Sequence, residues 1–149
     1  MNQQQLEEKI RKFFSFLLRN PEEIRFIFEE NENLVKVSIY HPLGDSLTKK
    51  DDDLLKASEI ILTRILASEI ENKRIYLDIN NFRKNKEEKL IELIKKIARQ
   101  CSYKKESFTF PPMNAYQRRL VHTEVAKYPD LTTESSGEEP ERRVTIKPI

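Results

Sequence analysis

An α+β fold is what this 149-residue sequence predicts, on three observations. Apolar residues recur at helical spacing in four stretches, short runs rich in β-branched and aromatic residues stand between them, and turn-forming residues separate the two kinds of segment. No internal repeat or low-complexity tail interrupts that alternation.

Leu6, Ile10, Phe13, Phe14, Leu17 and Leu18 repeat at helical spacing, and Asn20-Pro21 ends the helix. Its apolar stripe is better suited to covering a sheet than to a membrane, because the helix is short and begins with glutamates. Arg25 to Phe28 and Leu34 to Tyr40 have strand composition and flank the polar turn "EENEN", which predicts a hairpin. In "DDDLLKASEIILTRILASEIE" the aspartates complement a helix N-terminus, and Leu54, Leu55, Ile61, Leu62, Ile65 and Leu66 supply the apolar side. Three consecutive aspartates on a helix point in different directions, so metal binding is not expected there. Arg74 to Ile79 reads as a strand, and the stretch after it as a long helix with Leu90, Leu93, Ile94 and Ile97 facing inward. Lys95, Lys96 and Arg99 are expected to complement the end of that helix. "SFTF" reads as a strand, Pro111-Pro112 punctuates, and a further helix starts near Asn114. "DLTTES", the turn "SGEEP" and the alternating "RRVTIKP" close the chain as a strand pair.

With 38% hydrophobic and 35% charged residues, there is material for modest cores under a charged surface. No apolar run approaches the roughly 20 residues needed to span a bilayer, and "MNQQQLEEKIRKFF" lacks a signal-peptide pattern, so the expected location is cytoplasmic, with no membrane partner. The single cysteine, Cys101, excludes an intramolecular disulfide and cannot make a usual zinc site with two histidines, so no metal or cofactor is expected. Charge is uneven: Met1 to Asn81 holds 12 Lys and Arg against 15 Asp and Glu, and Phe82 to Ile149 holds 15 against 10. The basic second half is compatible with a polyanionic partner, although solubility alone explains many basic domains.

At 100° per residue, with Leu120 at zero, Met113, Tyr116, Val121, Val125 and Tyr128 span a predicted buried arc of about −40° to +140°. Arg118 and His122, at about 160° and 200°, become neighbours on the edge of the exposed face, beside Ala126, and Arg119 lies further round. A guanidinium fork and an imidazole suit a phosphate or a base. No acid, metal cluster or nucleophile accompanies them, so no catalytic residue is expected. His41, ahead of a proline, is expected in a turn. Spacing alone favours an ordinary solvated helix face with a structural histidine.

The segment from "PPMNAYQRRLVH" through "LTTESSGEEPERRVTIKP" resembles the R-3-H domain, named for an arginine and a histidine separated by three residues. It is most similar to the version that ends the Jag, or SpoIIIJ-associated, bacterial RNA-binding proteins, whose "PMN.Y.RR..H", "TT.S.GEEP" and "RRV.I.P" motifs occur here in order. The resemblance implies a single-stranded nucleic-acid binding domain with Arg118 and His122 on the binding face. By proximity in that fold it implies Arg119, Arg142, Arg143 and Lys147 as weaker contributors.

In Jag proteins a type II KH domain comes first, and the order here is similar to its α-β-β-α-α-β arrangement. The expected domains are a KH-like one at 1–81 and the R-3-H domain at 82–149, with no counterpart of the N-terminal domain and linker of full-length Jag proteins. A KH domain grips a backbone through a G-x-x-G loop, where glycines let amides approach phosphates. Here that loop falls near "LTKKDDD", with Thr48, Lys49, Lys50 and Asp51 in its place and only Gly44 nearby. Lys49 and Lys50 attract a phosphate that Asp51 repels, so they are the weakest binding candidates. The expected function is single-stranded RNA binding with little sequence preference, single-stranded DNA being a second candidate ligand. The alternative is a protein-interaction module that keeps both folds, with a KH-domain protein as a candidate partner. A nuclease using His122 ranks last.

Overall fold

The computed structural model describes residues 2–149, and the chain divides into two compact units, one reaching to Asn85 and one from Lys86 to Ile149. The division falls inside the first turn of a long helix. Helices and two small three-stranded sheets are mixed as the sequence predicts, which makes the class α+β.

The first unit opens with α1, Gln3–Phe14, where the Asn2 side chain accepts from the Gln5 N–H at 3.2 Å and so occupies one orphan donor of the first turn. β1, Arg25–Glu30, and β2, Leu34–Tyr40, pair antiparallel with Phe28 opposite Val37. Asn31 shapes their turn, its side-chain oxygen accepting from the N–H groups of Asn33 and Leu34 at 2.9 Å. β3, Arg74–Ile79, lies parallel to β2 with Leu77 beside Val37, and the order is β1-β2-β3. Leu6, Ile10 and Phe14 of α1 pack with Val35, Val37 and Ile39 of β2 and with Leu77 and Ile79 of β3.

The connection from β2 to β3 departs from the two-helix expectation. A four-residue 3-10 turn, Gly44–Leu47, stands where the first helix was expected, followed by one full helix, α2, Asp53–Ile65. Gly44 is needed for close packing, since a Cβ there would lie 2.7 Å from the Ile79 Cγ2 and 2.8 Å from the Asn80 Nδ2. The buried line of α2 is Leu55, Ser58 and Leu62, continued by Leu66. Ile61 and Ile65, predicted inward, are 45% and 62% exposed, because the small Ser58 takes the sheet-facing position and turns the apolar arc away from them. α2 also covers the free edge of β3: Thr63 and Glu59 side chains accept from the N–H groups of Ile75 and Leu77 at 3.1 and 2.8 Å. An edge whose donors are occupied in this way is closed to a further strand.

α3, Phe82–Lys104, starts beneath Asp78. That carboxylate is buried and accepts from the N–H groups of Ile79, Arg83 and Lys84 at 2.9, 2.9 and 3.1 Å. The helix runs a turn beyond Arg99 to Lys104, so Lys95, Lys96 and Arg99 are exposed short of its last turn, and Lys104 takes the place at the end.

In the second unit Ile94, Ile97, Ala98 and Cys101 of α3 meet the remaining elements. Leu93, expected inward, is 48% exposed, since the buried face runs through Ile94, Ile97 and Cys101 one position further round. β4, Phe108–Thr109, leads into α4, Ala115–Val125. β5, Leu131–Ser136, and β6, Arg143–Pro148, complete an antiparallel sheet of order β4-β6-β5. A reciprocal cap starts α4: the Asn114 oxygen accepts from the Gln117 N–H at 2.8 Å and the Gln117 oxygen from the Asn114 N–H at 3.1 Å. Val121 and Val125 of α4 pack with Val144 and Ile146 of β6, which sets α4 over one face of the sheet.

Candidate nucleic-acid interface

The strand register decides which polar residues α4 meets. Thr133 faces Ile146 and Ser135 faces Val144 across β5 and β6, so both hydroxyls share the inner face with those buried residues. His122 stands above them. Its Nδ1 lies 2.5 Å from the Thr133 Oγ1 and its Nε2 2.9 Å from the Ser135 Oγ, so each ring nitrogen has a hydroxyl partner that can donate or accept.

One turn earlier, Arg118 is turned further inward than helical spacing predicts. The residue is 9% exposed and lies on the buried side of α4 with Val121, Glu124 and Val125. The buried arc has therefore shifted by about 60° towards Arg118 relative to the expected one, leaving Tyr116 half exposed. Polar partners make this possible: Nη1 donates to the Met113 carbonyl and Nη2 to the Glu139 Oε1, both at 2.6 Å. The Met113 N–H in turn donates to the Arg142 carbonyl at 3.1 Å. The three motif segments, around Met113, Arg118 with His122, and Thr133 to Glu139, thus converge on one assembly.

The turn between β5 and β6 is held by bonds of its own. Gly137 has φ +87°, a left-handed conformation that favours glycine, and the Glu141 N–H donates to the Glu138 carbonyl at 2.8 Å. Arg142 donates through Nη1 to the Gly137 carbonyl at 2.8 Å. Arg119 is exposed on α4, and among the described residues its guanidinium has no ion-pair partner.

Arg143 and Lys147 lie elsewhere. Arg143 is registered with Ser136 and Lys147 with Thr132, positions on the sheet face opposite Thr133 and Ser135. Lys147 is paired with Glu134, and Arg143 has Glu141 at 4.0 Å. The fold therefore brings Arg118, His122, Arg119 and Arg142 to the α4 side and the turn, and separates Arg143 and Lys147 from them. In the first unit Lys49 and Lys50 are exposed between the 3-10 turn and α2, where the Asp51 carboxylate accepts from the Asp53 N–H at 3.0 Å. His41 is buried, with Nε2 2.9 Å from the Asn20 carbonyl and Nδ1 accepting from the Leu43 N–H at 3.0 Å. That is a structural histidine in its turn, in the neutral form with the proton on Nε2. Among the described residues no cluster of three or more His, Cys, Asp or Glu could hold a metal.

Sequence reasoning on the residues themselves did not find Thr133, Ser135 or Glu139 as partners, although all three stand in the "TT.S.GEEP" motif. One signal was available. Strand alternation puts Thr133 and Ser135 on the side of Leu131, and two hydroxyls on a core-facing strand edge call for a polar group from the element packed above.

Two carboxylates support this sheet. A hydrogen bond and the charge of Lys147 hold the Glu134 carboxyl below the ordinary range, and a hydrogen bond from Ser102, with help from Lys105 and against slight burial, does the same for Asp130. Groups with depressed folded values contribute stability above their unfolded values and lose it as pH falls through the folded ones. The melting temperature of the second unit is expected to drop between roughly pH 5 and pH 3, and Glu134→Gln should make that drop shallower. Thermal melts of the parent and the variant across that range check it.

Residues 88–148 match the R-3-H domain family. The RNA-binding protein KhpB of Clostridium symbiosum is 30% identical over 120 residues, covering 80% of this chain and 54% of that protein. The RNA-binding protein KhpB of Lactiplantibacillus plantarum is 29% identical over 72 residues, 48% of this chain and 22% of that protein. The chain thus spans about half the length of the first relative and less of the second. Fold, site and family match together define an R-3-H domain protein. The chain belongs to the Jag, or KhpB-type, family, as its motifs predict.

Proposed function

We propose that this chain binds single-stranded nucleic acid, RNA in the first place and single-stranded DNA as a weaker alternative, with little sequence preference and without catalysis. The observation that supports it best is the α4 assembly: a fixed Arg118, an imidazole beside it, and the exposed cations Arg119 and Arg142 on the same side. Phosphates would be neutralised by the guanidinium groups and a base would stack at the imidazole edge. Arg143 and Lys147, on the opposite sheet face, would attract a polyanion at longer range. The relatives' printed role, RNA binding, points the same way.

In this reading the first unit is a type II KH-like domain whose phosphate-gripping loop has become "TKKD", so that Lys49 and Lys50 add only weak attraction. The place of action is the cytoplasm, in keeping with the absence, among the described residues, of a helix long and apolar enough to cross a membrane. Ile60, Ile61 and Ile65, exposed together on α2, favour a subsidiary reading in which this unit contacts a protein, a KH-domain protein being the candidate. Fluorescence anisotropy of labelled single-stranded RNA, single-stranded DNA and duplex RNA tests the main reading. Binding of single strands in preference to duplex, with the probe left intact, is expected. Cleavage of the probe would refute the non-catalytic assignment, and no binding would leave the protein-contact reading.

A further inference from the structure

We infer that the Glu139 carboxylate occupies the seat that a phosphate of the bound strand takes at Arg118, so that binding is an exchange of an internal anion for the ligand. The inference rests on the single-stranded reading above and adds to it where the phosphate sits and what it displaces.

The two sides of the Arg118 guanidinium are held differently. On one side Nη1 donates to the Met113 carbonyl, and Met113 is itself tied through its N–H to Arg142. Those are main-chain contacts, which a ligand has no means of replacing. On the other side Nη2 meets a single carboxylate oxygen. The Arg118 side chain is 11% exposed and that of Glu139 is 61% exposed, so Glu139 stands between the guanidinium and solvent. Among the described residues Glu139 has no other hydrogen bond or ion pair.

Carboxylate and phosphate are the two anions that a guanidinium fork fits, and they share its donor geometry. An exposed ion pair favours its closed arrangement only about one- to fivefold, so a strand that brings a phosphate together with contacts at Arg119 and Arg142 can displace it. Departure of Glu139 leaves the turn intact, because the Glu141–Glu138 and Arg142–Gly137 bonds do not involve its side chain. The internal anion lowers affinity slightly. It also keeps the fork aligned while the site is empty, which limits the ordering cost of binding.

A double-substitution cycle tests the exchange by anisotropy with a labelled single-stranded RNA oligonucleotide. Glu139→Gln, which keeps the side-chain size, is expected to bind about two- to fivefold tighter than the parent. In an Arg118→Gln background the same substitution should bring no gain, since the seat itself is gone. Unchanged or weaker binding by Glu139→Gln overturns the inference. So does a gain of equal size in the Arg118→Gln background, which would reflect only the removal of a negative charge near the strand. Failure of the parent and of Glu139→Gln alike to bind overturns the inference and the single-strand reading together, whereas parental binding with no gain in Glu139→Gln overturns the inference alone. Melting curves of the variants confirm that each remains folded.

Discussion

Replacing Arg118 and His122 together by alanine is expected to weaken binding of single-stranded RNA by about tenfold to a hundredfold. Charge-assisted hydrogen bonds contribute about 1.5–3 kcal/mol where they form, and stacking of a base about 1–3 kcal/mol. Loss of the fork removes a phosphate seat, and loss of the imidazole removes a stacking edge. The same substitutions strip α4 of its contacts to Met113, Glu139, Thr133 and Ser135, so a structural effect must be separated from a binding effect. Arg118→Lys with His122→Gln does that, because a cation and a hydrogen-bonding side chain remain while the flat fork and the ring are lost. Anisotropy beside melting curves reads both. A double-alanine variant that stays folded and binds like the parent places the site elsewhere, with Lys49 and Lys50 next to replace.

Asp78→Ala is expected to cost about 2–4 kcal/mol of stability in the first unit, through lost hydrogen bonds to a buried carboxylate and backbone donors left without partners. The carboxylate is 3% exposed and holds the N–H groups of Ile79, Arg83 and Lys84, two of them in the first turn of α3. Water cannot easily reach those donors once the side chain is gone. The neighbouring Arg83 is also involved: it donates to the Leu77 carbonyl at 3.0 Å, pairs with Glu59 and Asp52, and lies over the Tyr76 ring at 4.8 Å. Its position depends on α3 starting where Asp78 sets it. Urea unfolding measures the loss, with Asp78→Asn, which keeps one acceptor oxygen, falling between the parent and alanine. A change below about 1 kcal/mol would mean that α3 begins equally well without its cap.

Where the sequence read well, a repeat period or a turn residue carried the signal. The spacing of Leu6, Ile10 and Phe14, the run Leu34 to Tyr40, and Asn114 ahead of α4 each describe a local choice that the fold retains. Where it read less well, the cause was a tertiary partner. Ile61 and Ile65 face solvent because Ser58, small and polar, packs against the sheet, and composition along a helix does not reveal which side a small residue occupies. Arg118 was expected on the exposed edge because an arginine is costly to bury alone. The Met113 carbonyl and Glu139 offset that cost, and they come from outside α4. Arg143 and Lys147 looked like neighbours of His122 because they share a basic motif. Their orientation is set by β5–β6 register, which puts Ser135 opposite Val144 and sends the flanking basic residues to the other face. The family motifs identified the Arg118 and His122 pair correctly as a unit, and the register then showed which of the surrounding cations can act with it.

The most direct test of the central claim is the salt dependence of single-stranded RNA affinity. If about three to five phosphates are neutralised at the α4 face, log K falls with log salt with a slope of roughly −2 to −3.5. A slope in that range that becomes shallower on replacing Arg119 and Arg142 by glutamine is the predicted result. Affinity that does not change with salt would contradict a phosphate-contacting site on this chain.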